Sequence, residues 1–254
     1  MKIIFLGTNG WYTTPTGNTP CILIDSKTHY VIFDAGNGIY KLDKYITEDK
    51  PISLFISHFH IDHISGLHAL AKFKFPQAID IYFGKGRLND FNTFANRPYT
   101  IGIKYEKENI GKLSTEVRPH ELPTGNNMIG FPVEVHKMYH AYEDHGYKVT
   151  LEGKTIAYSG DTGICPESYL LAKNVDLLIH ECSWVKVPKE DRWGHVDPTQ
   201  AAKLAKDSGT KKLVLTHFDA SKYDSLEKRK KAEKIAKAIF SNTIAARDDL
   251  ILEV

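Results

Sequence analysis

One hexapeptide constrains this chain more than any other feature. His58-Phe59-His60-Ile61-Asp62-His63 places three imidazoles and a carboxylate within one turn of chain, after the apolar run 52–56 of a predicted strand and before the predicted helix from 64. Imidazole and carboxylate are ligands of zinc, manganese and iron, and four such groups exceed what one ion usually takes from a single loop. The alternative, a polar loop with incidental histidines, would leave three imidazoles without partners. The sequence therefore predicts a site for two metal ions.

Further candidate ligands follow other predicted strands. His140 ends the alternating segment 133–140, Asp161 follows the strand 155–158 between two glycines, and His217 ends the apolar strand 212–216. The segment 176–181 repeats the pattern and ends in His180 and Glu181. Because α/β folds tend to place their sites at the carboxyl ends of neighbouring strands, we expect these side chains to meet the hexapeptide.

Together these residues resemble the metallo-β-lactamase superfamily of dinuclear metal hydrolases. The resemblance rests on the HxHxDH hexapeptide, the later histidine, the aspartate of Ser159-Gly160-Asp161-Thr162 and the final histidine. It implies two ligand sets, one of His58, His60 and His140 and another of Asp62, His63 and His217. Asp161 would bridge the two ions, for which zinc is the expected metal and manganese or iron are alternatives.

Within that superfamily the chain is most similar to the ribonuclease Z branch. The supporting segments are Phe5-Leu6-Gly7-Thr8, Phe33-Asp34-Ala35-Gly36, His180-Glu181, Gly194-His195 and Leu215-Thr216-His217-Phe218. The resemblance implies a metal-dependent hydrolase, most readily a phosphodiesterase acting on a small phosphodiester or RNA. Its nucleophile would be a hydroxide bridging the two ions, since bound metal lowers the pKa of water to near neutrality.

The candidate catalytic residues are Asp62, Glu181 and His195. A histidine oriented by a carboxylate can act as a general acid near pH 7, and the resemblance assigns this role to His195 with Glu181, while Asp62 assists the water. The alternative for His195 is an ordinary surface-loop histidine. Two other functions stay open: a lactone or thioester hydrolase on the same site, and a metal-sensing or structural protein without turnover.

Two departures from ribonuclease Z affect substrate handling. That family typically inserts a tRNA-binding arm between the third metal motif and the bridging aspartate, whereas 140–161 leaves room only for a loop and a strand pair. The early loop Pro15-Thr16-Gly17-Asn18 lacks the relatives' basic residue, and 34–40 replaces their acidic, glutamine-containing segment. The polar stretch 97–127 is an alternative lid. The sequence therefore predicts a branch member without the arm.

The predicted elements form two comparable halves of one domain, residues 1–254. Strands are predicted near 2–6, 20–25, 30–34, 52–56, 79–83, 131–138, 147–151, 154–158, 176–180 and 212–216. Helices are predicted near 37–46, 64–72, 86–95, 166–173, 198–207 and 224–240. This order implies an α/β fold, a four-layer αββα sandwich of two packed mixed sheets with outer helices, which is the metallo-β-lactamase fold.

Composition adds weaker constraints. The net charge of +2 argues against a strongly electrostatic nucleic-acid binder, although a local basic patch is compatible with it. No segment reaches the roughly 20 apolar residues that cross a bilayer, and the first apolar run is too short for a signal peptide. Three unpatterned cysteines favour a reducing interior, so we expect a cytoplasmic protein. The oligomeric state is open, with a homodimer as one alternative.

The basic run Glu227-Lys228-Arg229-Lys230-Lys231 has two interpretations, a nucleic-acid contact or a solvated helix face. Leu226, Ile235, Ala238 and Ile239 fit the apolar face of an amphipathic helix, which favours a basic face that is simply solvated.

Overall fold

The computed structural model describes residues 1–102 and 114–254. Within these residues the strands are β1 (Lys2–Gly7), β2 (Asn9–Gly10), β3 (Cys21–Asp25), β4 (Tyr30–Phe33), β5 (Ile52–Phe55), β6 (Ile79–Gly84), β7 (Val117–Leu122), β8 (Gly125–Met128), β9 (Pro132–Met138), β10 (Asp144–Leu151), β11 (Lys154–Tyr158), β12 (Leu177–Glu181), β13 (Leu213–Thr216), β14 (Phe218–Asp219), β15 (Thr243–Ala245) and β16 (Leu250–Glu253). The helices are α1 (Ile61–Ile64), α2 (Leu88–Ala95), α3 (Pro166–Ala172), α4 (Pro198–Asp207) and α5 (Leu226–Lys237). Two 3₁₀ helices span Asn37–Lys44 and Ser65–Lys72, where the sequence predicted ordinary helices.

Most strands belong to two mixed sheets, each with seven strands among the described residues. The first has the order β16-β1-β3-β4-β5-β6-β7 and the second β15-β13-β12-β11-β10-β9-β8, while β2 and β14 form a separate pair. Each sheet has three antiparallel pairings on one side and three parallel ones on the other. Most of the candidate site residues follow strands with parallel neighbours, whereas His140 follows β9, which pairs antiparallel with β8 and β10.

Alternation along the strands divides the core into layers. In β1, Ile3 and Phe5 pack between the two sheets, whereas Ile4 and Leu6 pack against the outer helices. In β12, Ile179 faces the other sheet and Leu178 faces the helices of its own side. Since neighbouring side chains on a strand point to opposite faces, strands that are apolar throughout are buried on both faces. The predicted four-layer αββα sandwich is confirmed.

The polar stretch 97–127 contains more regular structure than the sequence predicted. It includes β7 and part of β8, and residues 103–113 lie outside the described residues, so the lid interpretation stays a prediction. Among the described residues, none of the helices has both the length and the apolar character needed to cross a bilayer.

The basic run departs from the expected solvated face at one residue. Arg229 is only 2% exposed, and its guanidinium donates to Thr8 Oγ1 at 2.8 Å, to Asn9 Oδ1 and, at 3.4 Å, to the carbonyl of Ala246. Burial lowers the pKa of Arg229 to about 10 because it disfavours the charged form. Leu226 and Ile235, which the pattern assigned to the buried face, are 37% and 44% exposed. The expectation was therefore wrong for Arg229, which anchors the β2 segment to α5.

We expect Arg229→Ala to destabilise the protein by about 2–4 kcal/mol, because it leaves a void and removes the donors of buried acceptors. Urea unfolding of this variant should be compared with that of Lys230→Ala, whose exposed side chain should change stability by no more than about 0.5 kcal/mol. Equal unfolding midpoints for the two variants would contradict the anchoring role.

Candidate metal centre

The seven predicted metal ligands converge at one end of the two sheets. Six of them lie just beyond the carboxyl ends of strands with parallel neighbours, and the seventh, His140, lies just beyond the end of β9. The hexapeptide lies between β5 and α1, so that Asp62 and His63 occupy the first turn of α1 and His60 precedes it. Three more residues arrive from the second sheet: His140 after β9, Asp161 after β11 and His217 after β13.

The first predicted set contains three imidazoles in contact. Nε2 of His58 lies 2.8 Å from Nδ1 of His60, which in turn lies 3.3 Å from Nε2 of His140. These ligand atoms all lie within 4.8 Å of one another, a spacing that one ion could span. Burial lowers the pKa of all three histidines, most strongly that of His58, and so favours the neutral form that binds metal.

The second predicted set combines two imidazoles and a carboxylate. Nε2 of His63 lies 3.0 Å from Nε2 of His217, and Asp62 Oδ2 lies 3.3 Å from the latter atom. Burial opposes ionisation of Asp62, but the neighbouring His63 and His217 outweigh it and hold the pKa of the carboxyl below its usual range. Asp62 is therefore ionised at neutral pH.

Asp161 lies between the two sets. Its Oδ1 is 3.2 Å from Nε2 of His217, and its Oδ2 is 3.4 Å from Nε2 of His63 and 4.0 Å from Nε2 of His58. The carboxylate thus approaches one residue of the first set and two of the second. This is the placement that a bridging ligand requires.

An outer layer of partners fixes four of the five histidine rings, and the sequence did not assign these partners a role. Nδ1 of His58 lies 2.6 Å from Asp144 Oδ2, and Nδ1 of His63 lies 2.7 Å from Asp34 Oδ2. Ser183 Oγ donates to the carbonyl of His217 at 3.1 Å, so it accepts from Nδ1 of the same residue at 2.9 Å. Nδ1 of His140 donates to the carbonyl of Gly194 at 3.3 Å. Such partners orient metal ligands and fix their tautomers.

These tautomers test whether the residues suit a metal. With the Nδ1 protons of His58, His63, His140 and His217 donated outward, their Nε2 lone pairs point into the cluster. In the neutral forms that bind metal, Nε2 of His63 and Nε2 of His217 face each other at 3.0 Å as two lone pairs. Without an ion, burial opposes the charged form of His63, but the carboxylates of Asp161, Asp62 and Asp34 outweigh it and raise the pKa of His63, so that a proton takes the place of a cation. Oδ1 of Asp161 is buried and accepts no hydrogen bond within the described residues. Lone pairs and carboxylate oxygens gathered in this way need a cation, so the residues fit divalent metal ions.

The backbone around the centre is conformationally unusual. Trp11, Asp34 and His217 have positive φ angles of 74°, 58° and 50°, a region that non-glycine residues seldom adopt. A Cβ atom at Gly10 would lie 2.5 Å from the His217 ring, so only glycine allows this approach. Residues in sparsely populated conformations persist where surrounding contacts over-determine them, typically at functional sites.

Glu181 and His195 form a hydrogen-bonded pair beside the cluster. Oε1 of Glu181 lies 2.8 Å from Nδ1 of His195, and Oε2 accepts from the amide of Ser183 at 2.9 Å. Burial opposes the imidazolium, but the Glu181 carboxylate outweighs it and raises the pKa of His195 to about 9. The His195 ring lies 5.0 Å from the His140 ring, and its ligand atom is within 4.8 Å of those of His140 and Asp161. Distance alone therefore permits either a general acid or a further ligand.

A cavity of about 470 Å³ opens onto the cluster and contains a feature that sequence reasoning missed. All three tryptophans of the chain line it, Trp11, Trp184 and Trp193. Trp11 and Trp193 are 67% and 58% exposed, and the Trp11 amide donates to Asp62 Oδ2 at 2.7 Å. The available signal was position, because each tryptophan lies within a few residues of a motif.

The remaining histidines and Cys182 lie outside the cluster. Cys182 is buried in the core between the second sheet and its helices. His180 is fully buried and donates Nδ1 to the carbonyl of Glu181 at 2.9 Å. The structure brings none of the others into the ligand groups of the described chain: His29, His68, His120, His136 and His145.

Comparison with known proteins identifies relatives over the whole chain. The profile of a family described as Beta-lactamase superfamily domain matches residues 29–218. Ribonuclease Z of Archaeoglobus fulgidus is 25% identical over 311 aligned positions, covering 100% of this chain and 97% of the relative. A protein named Probable metallo-hydrolase YhfI from Bacillus subtilis is 24% identical over 257 positions, covering 96% of each chain.

Two solved structures share the architecture. YhfI from Bacillus subtilis superposes with a TM-score of 0.78 at 23% identity, covering 99% of both chains. The short form of human tRNase Z superposes with a TM-score of 0.77 at 23% identity, covering 100% of this chain and 99% of the other. These likenesses concern the fold, and they agree with the layered sheets described above.

Proposed function

Because this chain belongs to the beta-lactamase superfamily, a family of metal-dependent hydrolases, we propose that it is a dinuclear metal-dependent phosphodiesterase resembling ribonuclease Z. Its catalytic domain comprises residues 1–254, and zinc is the proposed metal. The observation that carries this proposal is the placement of the Glu181–His195 pair against a buried cluster of two ligand sets joined by Asp161. Relatives named Ribonuclease Z along the whole chain support the choice of phosphodiester chemistry.

In this proposal His58, His60 and His140 would hold one ion, Asp62, His63 and His217 would hold the other, and Asp161 would serve both sets. Two such ions, when bound, supply a hydroxide nucleophile at neutral pH and neutralise charge on the phosphate oxygens. Asp62 also accepts the Trp11 amide, which fixes one of its oxygens, and in this proposal Asp62 assists the attacking water. The outer partners Asp34 and Asp144 hold the rings of His63 and His58 in the binding orientation.

His195 supplies the proton for the leaving group. Glu181 accepts its Nδ1 proton, so the imidazole is oriented with Nε2 free to donate. Glu181 is itself fixed by the amides of Thr162 and Ser183 and is fully buried. Glu181 is thus a positioning residue, and His195 is the general acid.

A steady-state substrate panel tests the reaction class. It comprises bis(p-nitrophenyl) phosphate, a cyclic nucleotide, a 3′-extended pre-tRNA and an acyl lactone, each with metal-replete protein. The proposal requires a higher kcat/KM for a phosphodiester than for the lactone. Faster turnover of the lactone, together with unchanged lactone hydrolysis by the His195→Ala variant, would favour a carbonyl hydrolase on the same site.

We expect pre-tRNA trailers to be processed poorly or not at all, although small phosphodiesters are cleaved. Only β10, the turn at Glu152 and Gly153, and β11 lie between His140 and Asp161, so no arm is inserted there. The alignment with the Archaeoglobus enzyme spans 311 positions, whereas this chain has 254 residues, so that relative contains insertions. Without an arm, the contacts that it would make to the body of a pre-tRNA are missing, and pre-tRNA binding is weakened accordingly.

The measurement is incubation with a 3′-extended pre-tRNA at low salt, with ribonuclease Z as the positive control. Efficient cleavage at the discriminator base would contradict the expected defect and indicate another tRNA-binding surface.

A further inference from the structure

A second concave surface lies directly beside the catalytic cavity. It has a volume of about 560 Å³, and we call it the lysine groove, after Lys186, Lys222, Lys228 and Lys231 in its lining. Trp184 and Lys222 line both the groove and the catalytic cavity. The two spaces therefore adjoin, so that a ligand with one group at the metal centre could extend past Trp184 and Lys222 toward the groove.

The lining of the groove is positively charged. Four lysines and no acidic side chain line it, although the chain as a whole has 33 basic and 31 acidic residues. Two of the four are paired at the rim, Lys222 with Asp219 and Lys228 with Asp224. Lys186 and Lys231 are exposed and form no ion pair with the residues that the structure describes. An anionic ligand is the complement of this lining.

Aromatic rings accompany the lysines toward the metal centre. The ammonium of Lys222 lies 4.3 Å from the centre of the Trp184 ring, at the point where groove and cavity join. The exposed rings of Trp11 and Trp193 line the cavity itself. Basic grooves that follow a phosphate backbone, combined with aromatic faces on which bases stack, are typical of single-strand recognition.

We propose that the lysine groove binds the phosphates of a single-stranded oligonucleotide that flank the scissile phosphate, while the cavity tryptophans stack on its bases. This inference rests on the proposed phosphodiesterase function and adds a preference for oligonucleotides over isolated phosphodiesters. It also gives part of the basic run on α5 a role, since Lys228, Lys231 and Ile235 share the face of the helix that lines the groove.

The test compares two double variants with the same change in net charge. Lys186→Glu/Lys231→Glu alters the groove, whereas Lys230→Glu/Lys234→Glu alters exposed lysines of α5 outside its lining. For each variant, kcat/KM is measured on a fluorescent single-stranded RNA decamer and on bis(p-nitrophenyl) phosphate, over a range of salt concentrations.

We expect the groove variant to lose at least about tenfold in kcat/KM on the decamer at low salt. The slope of log kcat/KM against log salt should fall by about two, one for each lost phosphate contact. Its loss on the small ester should be far smaller, and the control variant should stay near wild type on both substrates. Equal effects of the two variants on the decamer, or no effect from either, would contradict the proposal that the groove binds an oligonucleotide.

Failure of the proposed function gives a different result. If wild-type protein hydrolyses neither substrate, binding of the labelled decamer is measured by fluorescence anisotropy. Weaker binding by the groove variant than by the control would support the groove without phosphodiesterase activity, whereas equal binding would reject it.

Discussion

Replacing His60 with alanine should abolish nearly all hydrolysis of bis(p-nitrophenyl) phosphate and remove one of two metal ions. Nδ1 of His60 is the ring nitrogen that both other histidines of its set approach, at 2.8 and 3.3 Å. Losing it leaves two ligands and the more distant Asp161 to hold that ion. We expect a fall in kcat/KM of about a thousandfold or more, equivalent to ~4 kcal/mol of transition-state stabilisation.

His68→Ala is the control for this variant, because His68 is an exposed histidine near the hexapeptide and lies outside every ligand group of the described residues. It should keep full activity and full metal content. A His60→Ala protein that remains folded and retains wild-type activity would show that this imidazole is not a ligand of the working centre.

The second large effect is expected from His195→Ala, which should keep both ions and slow the hydrolysis of poor leaving groups by about 10²–10⁴-fold. The reason is that an alkoxide must be protonated as it leaves, whereas a nitrophenolate departs without a proton. The measurement is a series of phosphodiesters with increasing leaving-group pKa, read as kcat/KM with metal content determined in parallel.

Glu181→Gln provides the companion variant, since it preserves the size of the side chain that orients His195. It should show the same dependence on leaving group with a smaller loss. If His195→Ala slows good and poor leaving groups equally, the general-acid role is wrong. If it releases a metal ion, His195 is a ligand, as its proximity to His140 and Asp161 permits.

The sequence predicted the central strands of the two sheets better than their edge strands. The apolar runs of β4, β5, β12 and β13 were predicted because strands buried on both faces need continuous apolar sequence. The four longer strands that it missed are the sheet edges: β7, β8, β15 and β16. Edge strands pair on one side and are partly exposed, so they tolerate proline, charge and short length, as in the Val117–Leu122 sequence VRPHEL.

The convergence of the predicted ligands could be foreseen because the hexapeptide carries its own spacing and the others end predicted strands, whereas the outer partners could not be foreseen. Asp144 begins the antiparallel strand β10, and Ser183 lies two residues beyond β12. Neither position has a local pattern that predicts proximity to an imidazole distant in sequence. Their contacts depend on how the two sheets pack, which the periodicity of apolar residues along the chain does not specify.

Arg229 shows the opposite error, in which a local pattern was misleading. A basic run on an amphipathic helix usually indicates solvated side chains, because burying an isolated charge is costly. Here Thr8, Asn9 and Ala246 supply acceptors for the guanidinium, and the Phe218 ring lies 4.9 Å from it. Tertiary partners therefore placed a charged residue where the helical pattern predicted none.

The most direct measurement is the metal content of the wild-type protein. Protein freed of metal, reloaded with excess zinc and desalted is measured by elemental analysis against a protein concentration from amino-acid analysis. Two ions per chain are expected, because His58, His60 and His140 form one ligand group, Asp62, His63 and His217 form another, and Asp161 approaches residues of both. A content of one ion or none per chain in active protein would contradict the dinuclear centre.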